Sequence, residues 1–358
     1  MSTAVHTLLN NSLTVIKPNS EIEGNFPLDQ AVIDQFPPGT KVIAADSYGS
    51  SSWTVTARIS TILADGTRKL WFLKCATEKS GKMMLKGEFH SMTEIYRTMP
   101  SFAPEPYAWG KFHRPIPETY FFLCEYIDMA NNMPDPIQFC SRVAKLHKLS
   151  KSPNNCFGFH VVTNQGKFPQ AVEYSDRLSR PRWDPSWQSF FTKMLKHSIE
   201  IDSQENGPLD ALSEVSSRVI DSVIPLLLGP LESDGRTVKP SLIHGDLWDG
   251  NIGTDRKTGD IYIFDAGAYY AHSEMELGMW RCKRHRFVNQ EVYLREYLKN
   301  AGISEPVEMF DDRNRLYCIY MNIWASAHHA GGIDRETAYK DMLFLVNKYA
   351  PSSDNVLP

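Results

Sequence analysis

The chain has 358 residues, room for two lobes, and its 42% hydrophobic and 22% charged content is that of a packed protein rather than a disordered one. A net charge of −4 and a pI near 6.3 offer no basic footprint, so nucleic acid is not an expected partner. No apolar run approaches the roughly 18–20 residues of a membrane span, and residues 1–20 lack the basic start and apolar core of a signal peptide, so no membrane association is expected.

The six cysteines are scattered without a CxxC pair; they read as reduced thiols, which points to the cytoplasm. Residues 1–40 carry Pro18, Pro27, Pro37 and Pro38 with little periodicity and read as a lead-in. From residue 41 the pattern turns to strands, one before a Ser-rich turn, one over 53–63 and one over 69–75. Ala64-Asp65-Gly66-Thr67 between the last two is a strong hairpin signal. Over 82–98, Met84, Phe89, Met92 and Ile95 fall near helical spacing, with Pro100 just beyond. Strands at 107–112 and 119–124 follow. Three strands, a helix and two strands form the small lobe of a protein-kinase-like fold over 41–124, with 125–131 as the linker between lobes. Residues 132–358 read as a larger, mainly helical lobe, with helices at 135–149, 187–201, 209–228, 274–288, 291–300, 311–329 and 334–349. The expected class is α+β, a β-rich N-terminal lobe followed by a helical C-terminal lobe.

The stretch 242–265, LIHGDLWDGNIGTDRKTGDIYIFD, carries the chemistry. Asp246 and Asn251 have the D-x-x-x-x-N spacing of a kinase catalytic loop, one carboxylate to take a hydroxyl proton and one amide to hold a metal. A turn-forming D-R-K-T-G-D and the apolar 261–264 run then fold Asp265 back beside that loop. Asp246 is the expected general base, and Asn251 and Asp265 the expected oxygen ligands of Mg²⁺. Lys74, ending the apolar run Leu70-Trp71-Phe72-Leu73, is the expected contact to ATP phosphates, with Glu88 on the next helix as its partner. Gly49-Ser50-Ser51-Ser52 lies where a loop of small residues can close over phosphates, and Glu125 and Ile127 lie where backbone groups can meet an adenine edge. His147 is placed to brace the catalytic loop and His244 to orient its backbone. Asp249 receives no role.

HGDLWDGN at 244–251, FDAGAYYAHSEMELGMW at 264–280, CFGFHVVTNQGKFPQ at 156–170 and WDPSWQSFFTKMLKHSIEID at 183–202 together resemble the fructosamine/ketosamine-3-kinase family, fungal ribulosamine-type in particular, within the aminoglycoside-phosphotransferase and choline-kinase-like group. The resemblance runs from about residue 41 to 349. It implies the same base, metal ligands and Lys74–Glu88 pair, and adds Trp248, His272 and Glu276 as residues that line or brace the sugar site. Two departures stand out. Asp265-Ala266-Gly267 replaces the family's common D-P-A, and Ser50, Ser51 and Ser52 replace the phosphate-loop cysteine of many members, so redox-controlled dimerisation is not carried over.

The implied activity is ATP-dependent phosphorylation of the 3-hydroxyl of ribulosamine or fructosamine adducts on protein amines or small ketoamines, leading to deglycation. A monomer is expected, with a dimer as the alternative. An aminoglycoside- or choline-like small-molecule kinase and a non-catalytic kinase-like binding protein are the competing classes. The FGFH and YYAHSEMEL segments disfavour the first and the intact polar set the second. Trp248, two residues after the base, suits stacking on sugar carbons. Glu276 and Asp249 are the nearest candidates to offset the charge of the carrier amine.

Overall fold

The computed structural model describes residues 22–49, 51–130, 132–170 and 183–351. The N-terminal lobe is a five-stranded antiparallel sheet ordered β1-β2-β3-β5-β4, with β1 at Lys41–Ser47, β2 at Val55–Ile62, β3 at Arg68–Thr77, β4 at Pro106–Lys111 and β5 at Thr119–Glu125. All five sequence-predicted strands are present within a few residues. Side chains alternate faces along a strand, and β3 uses this fully. Trp71, Leu73 and Cys75 point into one core, while Phe72, Lys74 and Ala76 face the cleft side. Lys74 sits opposite Thr56 and Phe122 in the ladder, so the central strand holds its register from both sides.

The outer face of the sheet is covered by the segment read as a lead-in. Asp29 caps the short helix α1 (Gln30–Ile33) by accepting from Ala31 N–H at 2.9 Å. Phe26, Ala31, Val32 and Phe36 pack under the sheet, with the Phe36 and Trp71 rings 5.2 Å apart. These residues close a core that the five strands alone would leave open to water.

Helix α2 (Glu78–Thr98) begins four residues before the predicted 82 and crosses the inner face of the sheet. It also touches the C-terminal lobe. A Cβ on Gly87 would lie 2.7 Å from the Val162 carbonyl, Ser91 Oγ accepts from Ala268 N–H at 2.9 Å, and His90 Nδ1 stands 3.1 Å from His160 Nε2. The linker continues into β6 (Met129–Ala130) and α3 (Pro136–Leu149), whose N-cap Asp135 accepts from Gln138 N–H. A hairpin of β7 (Asn164–Gln165) and β8 (Phe168–Pro169) leads on to α4 (Trp187–Asn206).

Two predicted helices are corrected. The 209–228 segment divides into α5 (Asp210–Arg218), a π-turn over Val219–Val223 and α6 (Ile224–Leu228). Pro225 is the cause: it has no N–H to donate and its ring crowds the carbonyl four residues back, and widening the turn relieves both. The 274–288 helix is reduced to a 3₁₀ turn and α7 (Glu276–Arg281). Beyond Cys282 the N–H groups of Arg286, Phe287 and Val288 are turned onto the Asp249 carboxylate, so they cannot serve a helix.

The segment that carries Asp246, Asn251 and Asp265 runs from β9 (Ser241–Ile243) through β10 (Ile252–Asp255) and β11 (Ile261–Ile263) to β12 (Tyr269–Ala271). β9 pairs with β12, while β10 pairs with β11 and with β6 of the linker. Helices α8 (Glu291–Ala301), α9 (Phe310–His328) and α10 (Asp334–Tyr349) complete the lobe, close to the predicted spans. α9 is buried almost all round, its polar Asp312, Arg313, Asn314 and Asn322 included. Its one buried guanidinium, Arg313, is paired with Glu274 at 2.9 Å. Among the described residues no helix is long and apolar enough to cross a membrane.

Candidate active site

Two separate ladders, β9–β12 and β10–β11, hold the ends of the 244–251 loop, and the loop's own polar groups fix its interior. Gly245 adopts φ +82°, and a Cβ there would lie 2.3 Å from the Gly267 carbonyl, so only glycine fits. Buried His244 donates from Nε2 to the Phe264 carbonyl at 2.9 Å and accepts from Asp246 N–H at Nδ1, 3.2 Å. Burial depresses its pKa, which keeps the ring neutral and able to accept at Nδ1. Below it, Glu276 accepts from the N–H groups of His244 at 2.6 Å and Gly245 at 3.1 Å. His147 is packed behind the same carboxylate, its Nε2 3.5 Å away and its Nδ1 2.8 Å from the Tyr297 hydroxyl.

On this platform Asp246 is gripped from two directions. Asn251 Nδ2 donates to its carbonyl at 2.8 Å and its Oδ2 at 3.1 Å; Gln165 Nε2 donates to Oδ1 at 2.7 Å. Burial pushes the carboxyl up to about 6, helped by the nearby Asp265 charge and opposed by the two amide donors. A carboxylate with that setting is a stronger proton acceptor than a solvated one.

Asp265 follows β11 at φ +61°, in the left-handed region that aspartate tolerates better than most residues. This turn aims its carboxylate at Lys74 Nζ, which it bonds, while Lys74 also bonds Glu88 Oε1 at 2.7 Å. Burial disfavours the ammonium, but Asp265 and Glu88 outweigh it and hold the Lys74 pKa above its ordinary value. Burial, with the Asp265 charge, raises Glu88 against the pull of Lys74. Two carboxylates therefore share one ammonium, and the surplus of negative charge when both are ionised is what the rise of Glu88 to about 7 relieves.

Three cavities meet around these groups. One of about 680 Å³ lies between the lobes and takes in Glu125, Ile127, Ser51, Lys74, Glu88 and Asp265. The Glu125 N–H is spent on the Glu105 carbonyl at 2.8 Å. A second, of about 400 Å³, joins Ser51 and Ser52 to Lys74, Asp246, Asn251 and Asp265. A third, of about 300 Å³, is walled by Trp53, Gln165, Asp246, Trp248, Arg284 and His285, with Trp324 and His328 of α9. Ser50 lies outside the described residues. Trp248 is 37% exposed, with its ring 5.6 Å from that of His285.

Not every expected sugar-site residue reaches this cavity. Glu276 is fully buried and consumed by the two backbone donors, so it braces the loop and lines nothing. His272 is 3% exposed, bonded to Tyr317 and Ser304, and faces a separate cavity of about 730 Å³ that takes in none of Lys74, Asp246, Asn251 and Asp265. Asp249 is taken up by three backbone N–H groups. Neither Glu276 nor Asp249 is available to a carrier amine, and Asp246 is the only carboxylate among the described residues lining the third cavity. Gln165, Trp53, Arg284, His285 and His328 were not read from the sequence as site residues. The Asn164-Gln165-Gly166-Lys167 turn was the one available signal, and it gives a hairpin without saying what the hairpin touches.

The fructosamine kinase family model matches residues 51–343. The chain belongs to the fructosamine kinase family. It is 28% identical over 269 residues to the chloroplastic protein-ribulosamine 3-kinase of Oryza sativa subsp. japonica, covering 74% of this chain and 70% of that protein. It is 27% identical over 281 residues to the ketosamine-3-kinase of Mus musculus, covering 71% and 81%. Among solved structures, a Haemophilus somnus protein provisionally described as a fructosamine-3-kinase superposes with a TM-score of 0.66 at 17% identity, covering 89% of this chain and 96% of that one. A thermostable aminoglycoside phosphotransferase APH(4)-Ia, in ternary complex with AMP-PNP and hygromycin B, follows at 0.55 and 14%, covering 89% and 98%. These likenesses establish the kinase-like fold for this fructosamine kinase family member.

Proposed function

We propose that this protein transfers the γ-phosphoryl group of ATP to the 3-hydroxyl of a ketosamine, with ribulosamine adducts preferred over fructosamine adducts. One observation carries the phosphotransfer: Asp246 stands where the phosphate-side and acceptor cavities meet, lining both. A hydroxyl held in the acceptor cavity gives its proton to the Asp246 carboxylate as its oxygen attacks the γ-phosphorus, and ADP leaves with the electrons of the broken P–O bond. Gln165 and Asn251 keep the carboxylate oriented for that transfer. Lys74, held by Glu88, is the cation on the phosphate side. The ketosamine follows from the family and from the names of the relatives, several of them protein-ribulosamine 3-kinases. The phosphorylated adduct then falls apart, freeing the amine.

The donor set fits a magnesium ion. Asp265 and Asn251 offer oxygens on one wall of the phosphate-side cavity, and a divalent cation there would favour the ionised form of both carboxylates that share Lys74. Two protein oxygens leave the rest of such an ion's shell to phosphates and water, the usual arrangement for magnesium at a nucleotide. When bound there, it neutralises phosphate charge.

Phosphate incorporation into ribated lysozyme, glycated lysozyme and free aminoglycosides, measured side by side with Mg-ATP, tests this function. Transfer to ribated protein above glycated protein is expected. Efficient transfer to an aminoglycoside with none to either protein overturns it.

A further inference from the structure

We propose that Trp53, carried on the phosphate-side loop of the N-terminal lobe, is a specificity-determining wall of the acceptor site, so that the acceptor cavity is completed by the loop that covers the nucleotide. This rests on the kinase reading above. Trp53 lines both the phosphate-side cavity of about 400 Å³ and the acceptor cavity of about 300 Å³. Two independent sets of contacts fix its place. Within its own loop, Ser51 Oγ accepts from the N–H groups of Trp53 at 3.3 Å and Thr54 at 3.2 Å, a side-chain turn that sets where the indole leaves the backbone. Across the cleft, the indole meets the His328 ring with centroids 5.8 Å apart.

His328 is itself held firmly. Its Nδ1 donates to the Trp324 carbonyl at 2.6 Å, and its Nε2 accepts from Lys167 N–H at 3.3 Å. The Phe168 ring lies 4.9 Å away. Lys167 belongs to the turn of the same hairpin whose Gln165 grips Asp246. Gly166 between them stands at φ +53°, where a Cβ would come within 2.4 Å of His328 Nε2. One imidazole thus joins the N-terminal phosphate loop, the end of α9 and the hairpin on the proposed base.

The consequence is chemical. Trp53 reaches His328 from a loop that lies over the phosphate side, so a nucleotide that holds the loop there also holds the wall of the acceptor cavity. Reciprocity then requires that an acceptor seated against Trp53 tighten nucleotide binding by the same factor. With Trp53 absent, the acceptor cavity opens toward the phosphates, and water gains access as a rival acceptor.

The test uses the full-length protein with a ribulosamine adduct of free lysine as acceptor and Mg-AMP-PNP as nucleotide, in wild type, Trp53→Ala and Trp53→Phe. In wild type, AMP-PNP should tighten the acceptor several-fold. In Trp53→Ala the acceptor KM should rise about 10-fold, the scale of one lost aromatic wall, with ATP affinity in the absence of acceptor within about twofold and the binding coupling gone. The share of ATP hydrolysed by water should rise in the same variant. Trp53→Phe keeps a ring, folds where alanine fails to, and should restore most of the acceptor affinity and the coupling. An unchanged acceptor KM in Trp53→Ala, a rise confined to ATP, or no coupling in wild type overturns the proposal. Absence of transfer from wild type to any ketoamine is a different result, visible before any variant is made, and overturns the kinase reading itself.

Discussion

Gln165 donates its side-chain amide to Asp246 at 2.7 Å across 81 positions of sequence, tying the 164–169 hairpin to the catalytic loop. A hydrogen bond to a charged group contributes about 1.5–3 kcal/mol. Gln165→Ala should therefore lower kcat roughly 10- to 100-fold while leaving the ATP KM unchanged, because Gln165 faces the acceptor side. Steady-state kinetics with both substrates varied checks this; an unaltered kcat removes Gln165 from the machinery.

Asp246→Asn keeps the shape of the loop but removes the proton acceptor. Turnover should fall by roughly 10²–10⁴, the range for losing a general base, with nucleotide affinity preserved by calorimetry. Asp265→Ala should act on the other half of the site, abolishing the tightening of ATP binding by Mg²⁺. If Mg²⁺ still tightens ATP in that variant, the ligand assignment is wrong.

Glu276 satisfies two buried N–H groups at the base of the loop. Glu276→Ala strands both, at about 1–3 kcal/mol each. The variant should melt several degrees lower and lose kcat even at saturating substrates. A full-strength enzyme with an unchanged melting temperature would show that the brace is dispensable.

Burial lowers the pKa of His272 to about 4, and burial aided by neighbouring cationic groups does the same for His285 and His90. The unfolded chain binds these protons near pH 6.5, so between about 6.5 and 4 it carries more protons than the folded one. Stability from these residues is complete above pH 6.5 and is lost as the pH falls toward 4. Urea unfolding at stepped pH should show the decline in that window, and replacing His272 by Gln should flatten part of it.

What the sequence made legible was local. The Asp246–Asn251 spacing lies within one loop, Asp265 is returned by a single hairpin, and Glu88 follows Lys74 on the next helix, so each pairing needs only neighbouring elements to form. The missed features depend on distant chain segments. Nothing near Gln165 announces Asp246, and nothing near Trp53 announces His328. Asp249 and Glu276 looked like free carboxylates because exposed acids are common. Only the folded chain shows that backbone N–H groups have already claimed them, and that the same claim ends the predicted 274–288 helix.

The seating of α2 has a wider consequence. In protein kinases, positioning the helix that carries the lysine's glutamate partner is a point of control. Here Gly87 lies against the Val162 carbonyl, and Ser91 accepts a hydrogen bond from Ala268, three residues past Asp265. The helix that presents Glu88 is thereby moored to the segment that presents Asp265, and swinging it outward would break both lobes' grip at once. Any control exercised through this helix would therefore have to act on the C-terminal lobe as well, because the two acidic residues that share Lys74 are held by one joint.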